Sequence, residues 1–311
     1  MLHYPKTRDE WLKLRHSCVS STEVAALHGL SPYLTAFELA VLKKADPPDD
    51  REAGERATWG LRMQEAAARG LAEDLKIKVR ALNAYAIQDG TRMGASFDYE
   101  IIGTEPGSEF EDYYKRLGTG ILEIKTVDAW VYRNDWQDGE APAHIEVQVQ
   151  AQLECIERAW AIIGVVVGGN KGVHLLRERD LEVGAALTRK VQEFWMLLEA
   201  GGMPPVVLPD DVEIIRKLYA YAEPGNLLDA HGNDEIKQLC AEYAAAGEDE
   251  KAAVARKDTA RAKLLQMIGP AEKVLADGYT ISCGVVGEAV IPSYVRKGYR
   301  NFRVTTKKVK A

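Results

Sequence analysis

The stretch that decides the fold is Gly120-Ile-Leu-Glu-Ile-Lys-Thr126. Its apolar residues predict a short buried strand that carries two charged side chains, Glu123 and Lys125. Side chains two positions apart on a strand project from the same face, so a carboxylate and an ammonium lie side by side. Burying an unpartnered charge is costly. The pair therefore indicates either a structural ion pair within a sheet or a site for a metal or a substrate.

A second carboxylate precedes this strand. Asp98 follows the turn-like segment at 94–96 and comes before the apolar pair at 101–102. A hairpin-like pair of strands would bring Asp98 beside Glu123 and Lys125. Two carboxylates suit a hard, oxygen-preferring cation such as Mg²⁺, and the lysine can hold a water for attack on a phosphodiester. The alternative is an aspartate that only stabilises a turn.

Length and composition describe an ordinary globular chain with an acidic excess. The 311 residues are 46% hydrophobic and 28% charged. This length accommodates one large α/β domain with an appendage, or two smaller domains. The formal net charge of −7 excludes a wholly basic nucleic-acid coat, but DNA binding requires only a local basic surface.

Cysteine and histidine spacing indicates neither a zinc site nor a disulfide framework. The four cysteines lie far apart without a C-x-x-C pair, and the six histidines lack zinc-ligand spacing. The first ten residues are charged and lack the apolar segment of a signal peptide, and the longest apolar run, 159–167, is too short to span a bilayer. We therefore expect a cytoplasmic protein with reduced thiols and no membrane association.

The N-terminal region combines a helix with a candidate anion site. Residues 8–16 have apolar positions at helical spacing. A Ser/Thr cluster follows, in which Ser20 and Glu23 fit a capping box. A helix N-terminus with free N–H groups and hydroxyls can bind an anion. Plain capping of the helix is the alternative.

Further motifs accompany the two carboxylates along the chain. They are W-L-K-L-R at 11–15 with V-S-S-T-E-V at 19–24, G-L-S-P-Y at 29–33, W-G at 59–60, Q-V-Q at 148–150 and K-G-Y-R-N-F-R at 297–303. Together with Asp98 and the E-x-K strand, this series resembles the lambda exonuclease and YqaJ-like viral recombinase branch of the PD-(D/E)xK nucleases. The conjunction of these motifs in one order carries the resemblance.

The resemblance implies a fold and a domain division. The expected fold class is α/β, with a PD-(D/E)xK restriction-endonuclease-like core in which helices flank a central mixed sheet. This core would span residues 1–205. Residues 206–311 would form a C-terminal helical arm with a small β segment, which packs on the core or serves DNA binding or oligomerisation.

The resemblance also implies an activity, a cofactor and partners. The expected activity is Mg²⁺-dependent 5′→3′ digestion of double-stranded DNA ends, with Mn²⁺ as a substitute, to leave 3′ single strands for recombination by annealing. The expected partners are DNA ends, further copies of the chain in a trimeric ring, and a single-strand annealing protein. A phage or prophage gene product in the cytoplasm of a bacterial host fits this activity.

Site residues transfer from the family motifs by position. The resemblance implies metal ligation by Asp98, Glu123 and the Ile124 carbonyl, orientation of water by Lys125, and a supporting role for Gln148. It implies that the 5′-phosphate is held by Arg15, Ser20 and Thr22.

One active-site position is ambiguous. The family places a glutamate shortly after the W-G pair, where this chain has Gln64 followed by Glu65. Counting from Gly60 favours Gln64, whereas the chemistry of a third acidic group favours Glu65. We assign Glu65 to the site; a solvated helix glutamate is the alternative. The Pro and Gly that usually flank the family's aspartate are Phe97 and Tyr99 here, so the local backbone is expected to differ.

Two further regions are candidates for DNA contact. Residues 127–140 resemble a mobile connection with interleaved aromatic and basic residues, including Trp130 and Arg133; these can stack bases and bind phosphates, or cover the sheet edge. The last 16 residues are strongly basic and provide candidate phosphate contacts at Arg296, Lys297, Arg300 and Arg303. A disordered tail is the alternative for that segment.

Two other functions remain compatible with the same residues. One is a structure-selective or site-specific DNA endonuclease on the same fold. The other is a non-catalytic protein that binds DNA ends. The complete set of Asp98, Glu123 and Lys125 favours an enzyme, whereas the departures at Phe97 and Gln64 leave the binding protein open.

Overall fold

A computed structural model describes four parts of the chain, namely residues 1–46, 54–136, 139–285 and 287. The chain divides into two compact units, Met1–Ile214 and Ile215–Ala311. The mixture of strands and helices confirms the predicted α/β class.

The strands of the first unit are β1 (Leu2–His3), β2 (Val19–Ser20), β3 (Ile77–Ala81), β4 (Tyr85–Ile87), β5 (Met93–Ser96), β6 (Tyr99–Thr104), β7 (Gly120–Val127), β8 (Trp160–Val167) and β9 (Lys171–Glu178). The helices up to residue 218 are α1 (Arg8–Ser17), α2 (Ser21–Leu27), α3 (Ala36–Lys44), α4 (Glu55–Leu75), α5 (Glu111–Leu117), α6 (Ala129–Asp135), α7 (Ala143–Ile156), α8 (Leu181–Glu199) and α9 (Val212–Leu218).

A five-stranded mixed sheet forms the centre of the first unit. Its order is β3-β6-β7-β8-β9, in which β7 and β8 run parallel and the other neighbours run antiparallel. The E-x-K strand β7 is therefore central, and β6, which begins just after Asp98, is its antiparallel neighbour as predicted. The first unit also contains a four-stranded sheet of order β1-β4-β5-β2. The sequence did not predict this second sheet.

Alternation along β7 separates the two faces of the central sheet. Ile121 belongs to a core cluster shared with α7, whereas Leu122 and Ile124 belong to a second cluster shared with α4. Since Glu123 and Lys125 are in phase with Ile121, they project toward α7. The predicted shared face of these two charged residues is confirmed.

Gly120 begins β7 beneath the ring of Trp160. A Cβ atom at position 120 would lie 2.6 Å from that ring. The Trp160 indole N–H donates to the Gly118 carbonyl at 2.9 Å and so fixes the ring. The first residue of the strand must therefore be a glycine unless the indole moves.

Local sequence signals place the helices around the sheet accurately. Residues 8–16, which have helical spacing in the sequence, form α1 with one further residue at its end. Asp180 begins α8 by accepting from the N–H groups of Glu182 and Val183. The segment after β7 differs from the prediction of a mobile connection, because Asp128 accepts from the N–H groups of Trp130 and Val131 and begins helix α6.

The first unit extends beyond residue 205. Asp211 is fully buried. Its carboxylate accepts a hydrogen bond from the Thr35 hydroxyl and another from the Val207 N–H at 2.6 Å. These contacts tie the residues that follow the predicted boundary to the N-terminal part of the same unit.

The second unit contains α10 (Asp234–Ile268) and the antiparallel pair β10 (Lys273–Ala276) and β11 (Tyr279–Ser282). The helical arm and small β segment expected from the sequence are thus present. In the described parts of the chain, every helix is too short or too polar to cross a membrane.

Candidate active site

Asp98 and β7 meet through a main-chain contact. Asp98 lies just before β6, and its Oδ2 accepts a hydrogen bond from the Ile124 N–H at 2.8 Å. The ladder between β6 and β7 ends at the pair Tyr99 and Leu122. The edge of β7 beyond Leu122 is therefore left to the Asp98 side chain, which lies beside the residues of the E-x-K motif.

Glu123 is the most fully enclosed charged residue of the motif. It is 4% exposed. Its Oε1 accepts from the Lys125 ammonium at 2.7 Å and the Gln148 amide at 2.6 Å, and its Oε2 accepts from the Gln152 amide at 2.7 Å. Buried carboxylates require such donors, and these three fix the orientation of the carboxylate.

Lys125 is held between two acceptors. Its ammonium donates to Glu123 and to the Gln148 Oε1 at 3.0 Å. The side chain keeps 22% of its surface exposed. The third ammonium proton is therefore available to a water or a phosphate oxygen at the mouth of the site.

The electrostatics of the site favour a cation. Burial and the neighbouring Glu123 carboxylate raise the pKa of Asp98 to about 7, although the Ile124 N–H, Lys125 and Gln64 oppose this shift. Two carboxylates this close cannot both ionise freely unless a positive charge joins them. Lys125 supplies only part of that charge.

The donor set fits a hexacoordinate cation such as Mg²⁺. Mg²⁺ uses one or two carboxylates and completes its shell with waters and substrate phosphate. The N–H and C=O of one strand residue point to the same side, so the Ile124 carbonyl faces the side where Asp98 is bound. Among the described residues, no group of three or more His, Cys, Asp or Glu side chains is placed to hold a metal ion.

The structure places Gln64, and not Glu65, beside Asp98. The Gln64 side chain is half-buried and lies close enough to the Asp98 carboxylate to lower its pKa. Glu65 is 79% exposed and pairs with Arg69 one turn along α4 at 3.0 Å. The placement of Glu65 in the site is therefore corrected, because one residue along a helix turns the side chain by about 100°.

The residues assigned to the 5′-phosphate lie together. The Arg15 guanidinium donates to the Thr22 hydroxyl at 3.3 Å, and the hydroxyls of Thr22 and Ser20 are 3.0 Å apart. Ser20 caps α2 in the predicted capping box with Glu23. The capping alternative and the anion-site alternative are therefore compatible, since the N-terminus of α2 presents the two hydroxyls and Arg15 reaches them from the last turn of α1.

A buried ion-pair network lies behind this cluster. Glu23 accepts from Arg15 at 3.2 Å and from the Lys43 ammonium at 2.8 Å, and the Lys43 side chain is 4% exposed. Burial opposes ionisation of Glu23, but Lys43 and Arg15 outweigh it and hold the pKa of Glu23 below its usual range. Burial likewise lowers the pKa of Lys43, against the pull of Glu23. The network fixes the position of the Arg15 guanidinium through Glu23.

Hydrogen bonds connect the two parts of the site. The Trp11 indole N–H donates to the Ser96 hydroxyl at 3.0 Å. The Gln152 amide that binds Glu123 also donates to the Ser96 carbonyl at 3.0 Å. Arg15 lies over the Trp11 ring, 5.2 Å from its centroid. The anion cluster and the carboxylate pair thus share one continuous scaffold.

The remaining candidate DNA contacts have mixed outcomes. Trp130 is 70% exposed on α6, and Arg133 is exposed three residues later on the same helical face. Their role in DNA binding stays a prediction. The basic C-terminal candidates lie outside the described residues, namely Arg296, Lys297, Arg300 and Arg303.

Sequence reasoning missed two contributors to the site. Gln152 lies four residues after Gln148, a spacing that places both amides on one helical face, and this signal was present in the sequence. Lys43 carried no comparable signal, because its pairing with Glu23 spans 20 residues and two helices.

Comparisons with known proteins match the part of the chain that contains most of these motifs. Residues 10–159 match the YqaJ-like viral recombinase domain family. The uncharacterized protein YqaJ of Bacillus subtilis (strain 168) is 28% identical over 239 residues, which cover 75% of this chain and 70% of that protein. The resemblance drawn from the motifs is confirmed.

Two solved structures are also similar. An alkaline exonuclease, LHK-Exo, from Laribacter hongkongensis has a TM-score of 0.49 at 17% identity, covering 68% of this chain and 97% of that one. A phage related exonuclease from Haemophilus somnus 129PT has a TM-score of 0.42 at 10% identity, covering 61% of this chain and 99% of that one.

Proposed function

Because residues 10–159 match the YqaJ-like viral recombinase domain family, we propose that this protein is a divalent-metal-dependent DNA exonuclease. It hydrolyses phosphodiester bonds from the 5′ ends of duplex DNA and leaves 3′ single strands for recombination by annealing. The family match supports a nuclease acting on DNA, and the geometry of the site supports the mode of attack.

One observation carries the proposal: Asp98, Glu123 and Lys125 converge on β7. Asp98 accepts from the N–H of Ile124, the residue between the other two, and Lys125 donates to Glu123. A structural ion pair would need only Glu123 and Lys125. The additional carboxylate, with a pKa raised to about 7 by burial and by Glu123, is costly unless a ligand uses it. That cost favours a catalytic site over a non-catalytic fold.

The chain's own residues divide the chemical work. Asp98, Glu123 and the Ile124 carbonyl would hold Mg²⁺, with Mn²⁺ as a substitute. The cation, when bound, supplies stabilisation of the charge that develops on the scissile phosphate and activation of water. Lys125 donates a hydrogen bond that orients the attacking water, and Gln148 keeps the ammonium in position.

The cluster at α2 selects the DNA end. Arg15, Ser20 and Thr22 offer a guanidinium and two hydroxyls to a terminal phosphate, which makes strong charge-assisted hydrogen bonds with such groups. Glu23 leaves the guanidinium only partly neutralised, because Lys43 shares the same carboxylate. A 5′-phosphate bound there would set the position of the next phosphodiester bond.

The partners follow from the proposed activity. Double-stranded DNA ends are the substrate, with Trp130, Arg133 and the basic C-terminal residues as DNA contacts. A single-strand annealing protein would take the 3′ strand. A trimeric ring of identical chains, in the cytoplasm of a bacterial host that carries the phage or prophage gene, is the assembly proposed by analogy with relatives.

Digestion of a linear duplex tests the proposal. The duplex carries 5′-phosphates and is labelled at each end in turn, with Mg²⁺ or EDTA, beside a closed circular control. We expect Mg²⁺-dependent release of mononucleotides from the 5′ ends with the circle intact. Cut circles would indicate the endonuclease, and Mg²⁺-independent binding without any product would indicate the end-binding protein.

A pair of variants tests the corrected helix register. Gln64→Ala removes the amide that lowers the pKa of Asp98 and should lower turnover at least several-fold. Glu65→Ala removes only an exposed pair with Arg69 and should leave turnover unchanged. A loss of turnover in the second variant alone would restore Glu65 to the site.

A further inference from the structure

The longest helix among the described residues presents an apolar stripe that the described part of its own unit leaves exposed. α10 has 35 residues and contains no buried residue. At about 1.5 Å per residue it is roughly 52 Å long. Leu239 is 57% exposed and Leu264 is 44% exposed. Helices gain most of their stability from packing an apolar face, so a stripe of this length indicates a partner.

The stripe follows a heptad repeat. The first core position of each heptad, a, is occupied by Ile236, Tyr243, Glu250, Lys257 and Leu264. The second core position, d, is occupied by Leu239, Ala246, Ala253, Ala260 and Met267. Apolar residues dominate these positions, as in a coiled-coil seam. The alanines allow two helices to approach closely, and the polar pair at a restricts the register.

The flanking charges specify the orientation of the partner. The g positions, which adjoin the seam, begin with Glu235 and continue with Glu242, Asp249, Arg256 and Lys263. In an antiparallel pair of identical helices the g positions face each other. When each a residue packs opposite a d residue, Glu242 meets Lys263 of the second copy and Asp249 meets Arg256 of the second copy. These four g positions then each have an opposite charge across the interface, whereas Glu235 lies opposite the chain beyond the end of α10.

A parallel pair lacks this complementarity. There, each g position faces the e position five residues later on the other helix. Glu242 would face Gly247, Asp249 would face Val254, and Arg256 would face Arg261. No attractive pair forms and one repulsive pair does, so the sequence discriminates between the two orientations.

We propose that α10 is a homodimerisation element that forms an antiparallel coiled coil with α10 of a second copy of this chain. The two-fold axis crosses the seam between Glu250 and Ala253, where Glu250 lies one layer from Lys257 of the second copy. This interface is independent of the nuclease proposal, because it involves residues of the second unit alone.

Charge reversal on the full chain tests the proposal. Glu242→Lys/Asp249→Lys makes all four of these g positions basic, and Arg256→Glu/Lys263→Glu makes all four acidic. By light scattering after gel filtration, each variant should have the mass of the assembly that the first unit forms, which is the trimeric ring if that proposal holds. The wild type, in which α10 pairs two such assemblies, should have twice that mass. An equimolar mixture of the two variants should recover the wild-type mass. Equal masses for wild type and both variants, or a mixture that does not reassociate, would overturn the proposal.

A matched control reverses a pair on the outer face. Glu248 and Lys251 form an exposed ion pair on α10 at 2.7 Å, away from the seam. The exchange Glu248→Lys/Lys251→Glu keeps the net charge and should leave the mass unchanged. Loss of half the mass in this control would show that the helix itself, and not the g positions, controls association.

The native Cys240 reports the orientation directly. In the antiparallel pair the two copies of Cys240 lie about 35 Å apart at 1.5 Å per residue, far beyond the reach of a disulfide. In a parallel pair they lie at the same level on opposite flanks of the seam, within reach of a short thiol-reactive cross-linker. A short bis-maleimide in a Cys283→Ser background should therefore yield no covalent dimer through Cys240. A covalent dimer through that residue would overturn the antiparallel arrangement.

Discussion

Replacing Lys125 by methionine should separate the stability of the site from its chemistry. Methionine keeps most of the side-chain volume and removes the ammonium that donates to Glu123 at 2.7 Å. Glu123 is 4% exposed, so the change leaves a buried carboxylate with less compensation. Breaking a buried pair costs about 3 to 5 kcal/mol, and the partial exposure of Lys125 favours the lower value, about 3 kcal/mol.

Calorimetry of the full chain in EDTA measures this cost. For a unit of 214 residues, about 1 kcal/mol shifts the melting temperature by roughly 2–4 °C, so Lys125→Met should lower the first unit's transition by roughly 6–12 °C. Mg²⁺ should recover much of this loss, because the cation replaces the missing positive charge beside Asp98 and Glu123. Cleavage should remain absent, because the ammonium that orients the water is gone.

Lys115 provides the matched control. It pairs with Glu111 at 2.6 Å, nearly the same distance, but its side chain is 65% exposed. Solvent screens such a pair, so Lys115→Met should change neither the melting temperature nor turnover measurably. The reasoning would be refuted if the two variants melted alike, or if Lys125→Met retained wild-type turnover.

Three further outcomes are expected. Arg15→Ala should abolish the preference for 5′-phosphorylated over 5′-hydroxyl ends, as measured by initial rates on the two duplexes; an unchanged preference would remove the phosphate assignment. Because the folded-state pKa of Asp98 is raised to about 7, its ionisation destabilises the metal-free protein as pH rises toward and through 7. Thermal stabilisation by Mg²⁺ should therefore be larger at pH 8.5 than at pH 5.5, and equal stabilisation at both would contradict the metal site. Gly120→Ala should cost about 1–3 kcal/mol, since the new Cβ would lie 2.6 Å from the Trp160 ring. Gly70→Ala, in open space on α4, should instead stabilise by about 0.5–1 kcal/mol, and thermal melting distinguishes the two signs.

Features set by local periodicity were predictable from the sequence. The alternation along β7 identified the shared face of Glu123 and Lys125, and the helical spacing of residues 8–16 predicted α1 to within one residue. Both signals arise within one element, where side-chain direction follows directly from the backbone repeat. The proximity of Asp98 to β7 was also predictable, because a short antiparallel pairing brings it there.

Features set by packing between distant elements were not predictable. The choice between Gln64 and Glu65 depends on the rotation of α4, and that rotation is fixed where Leu71 packs over Gly164 of β8. No local sequence pattern indicates this contact between α4 and β8. The pairing of Lys43 with Glu23 likewise depends on how α3 lies beside α2, and the second sheet depends on pairings between β1, β4, β5 and β2 that are far apart in sequence.

The contact between Asp98 and the Ile124 N–H has a consequence for how this site varies among mutants. The donor is main chain, so any residue except proline at position 124 supplies it equally. Substitution of Ile124 by residues other than proline would therefore report only on packing and would miss the role of its main chain in holding Asp98. The contact can be tested by a proline substitution at position 124, or by chemical replacement of the main-chain amide with an ester.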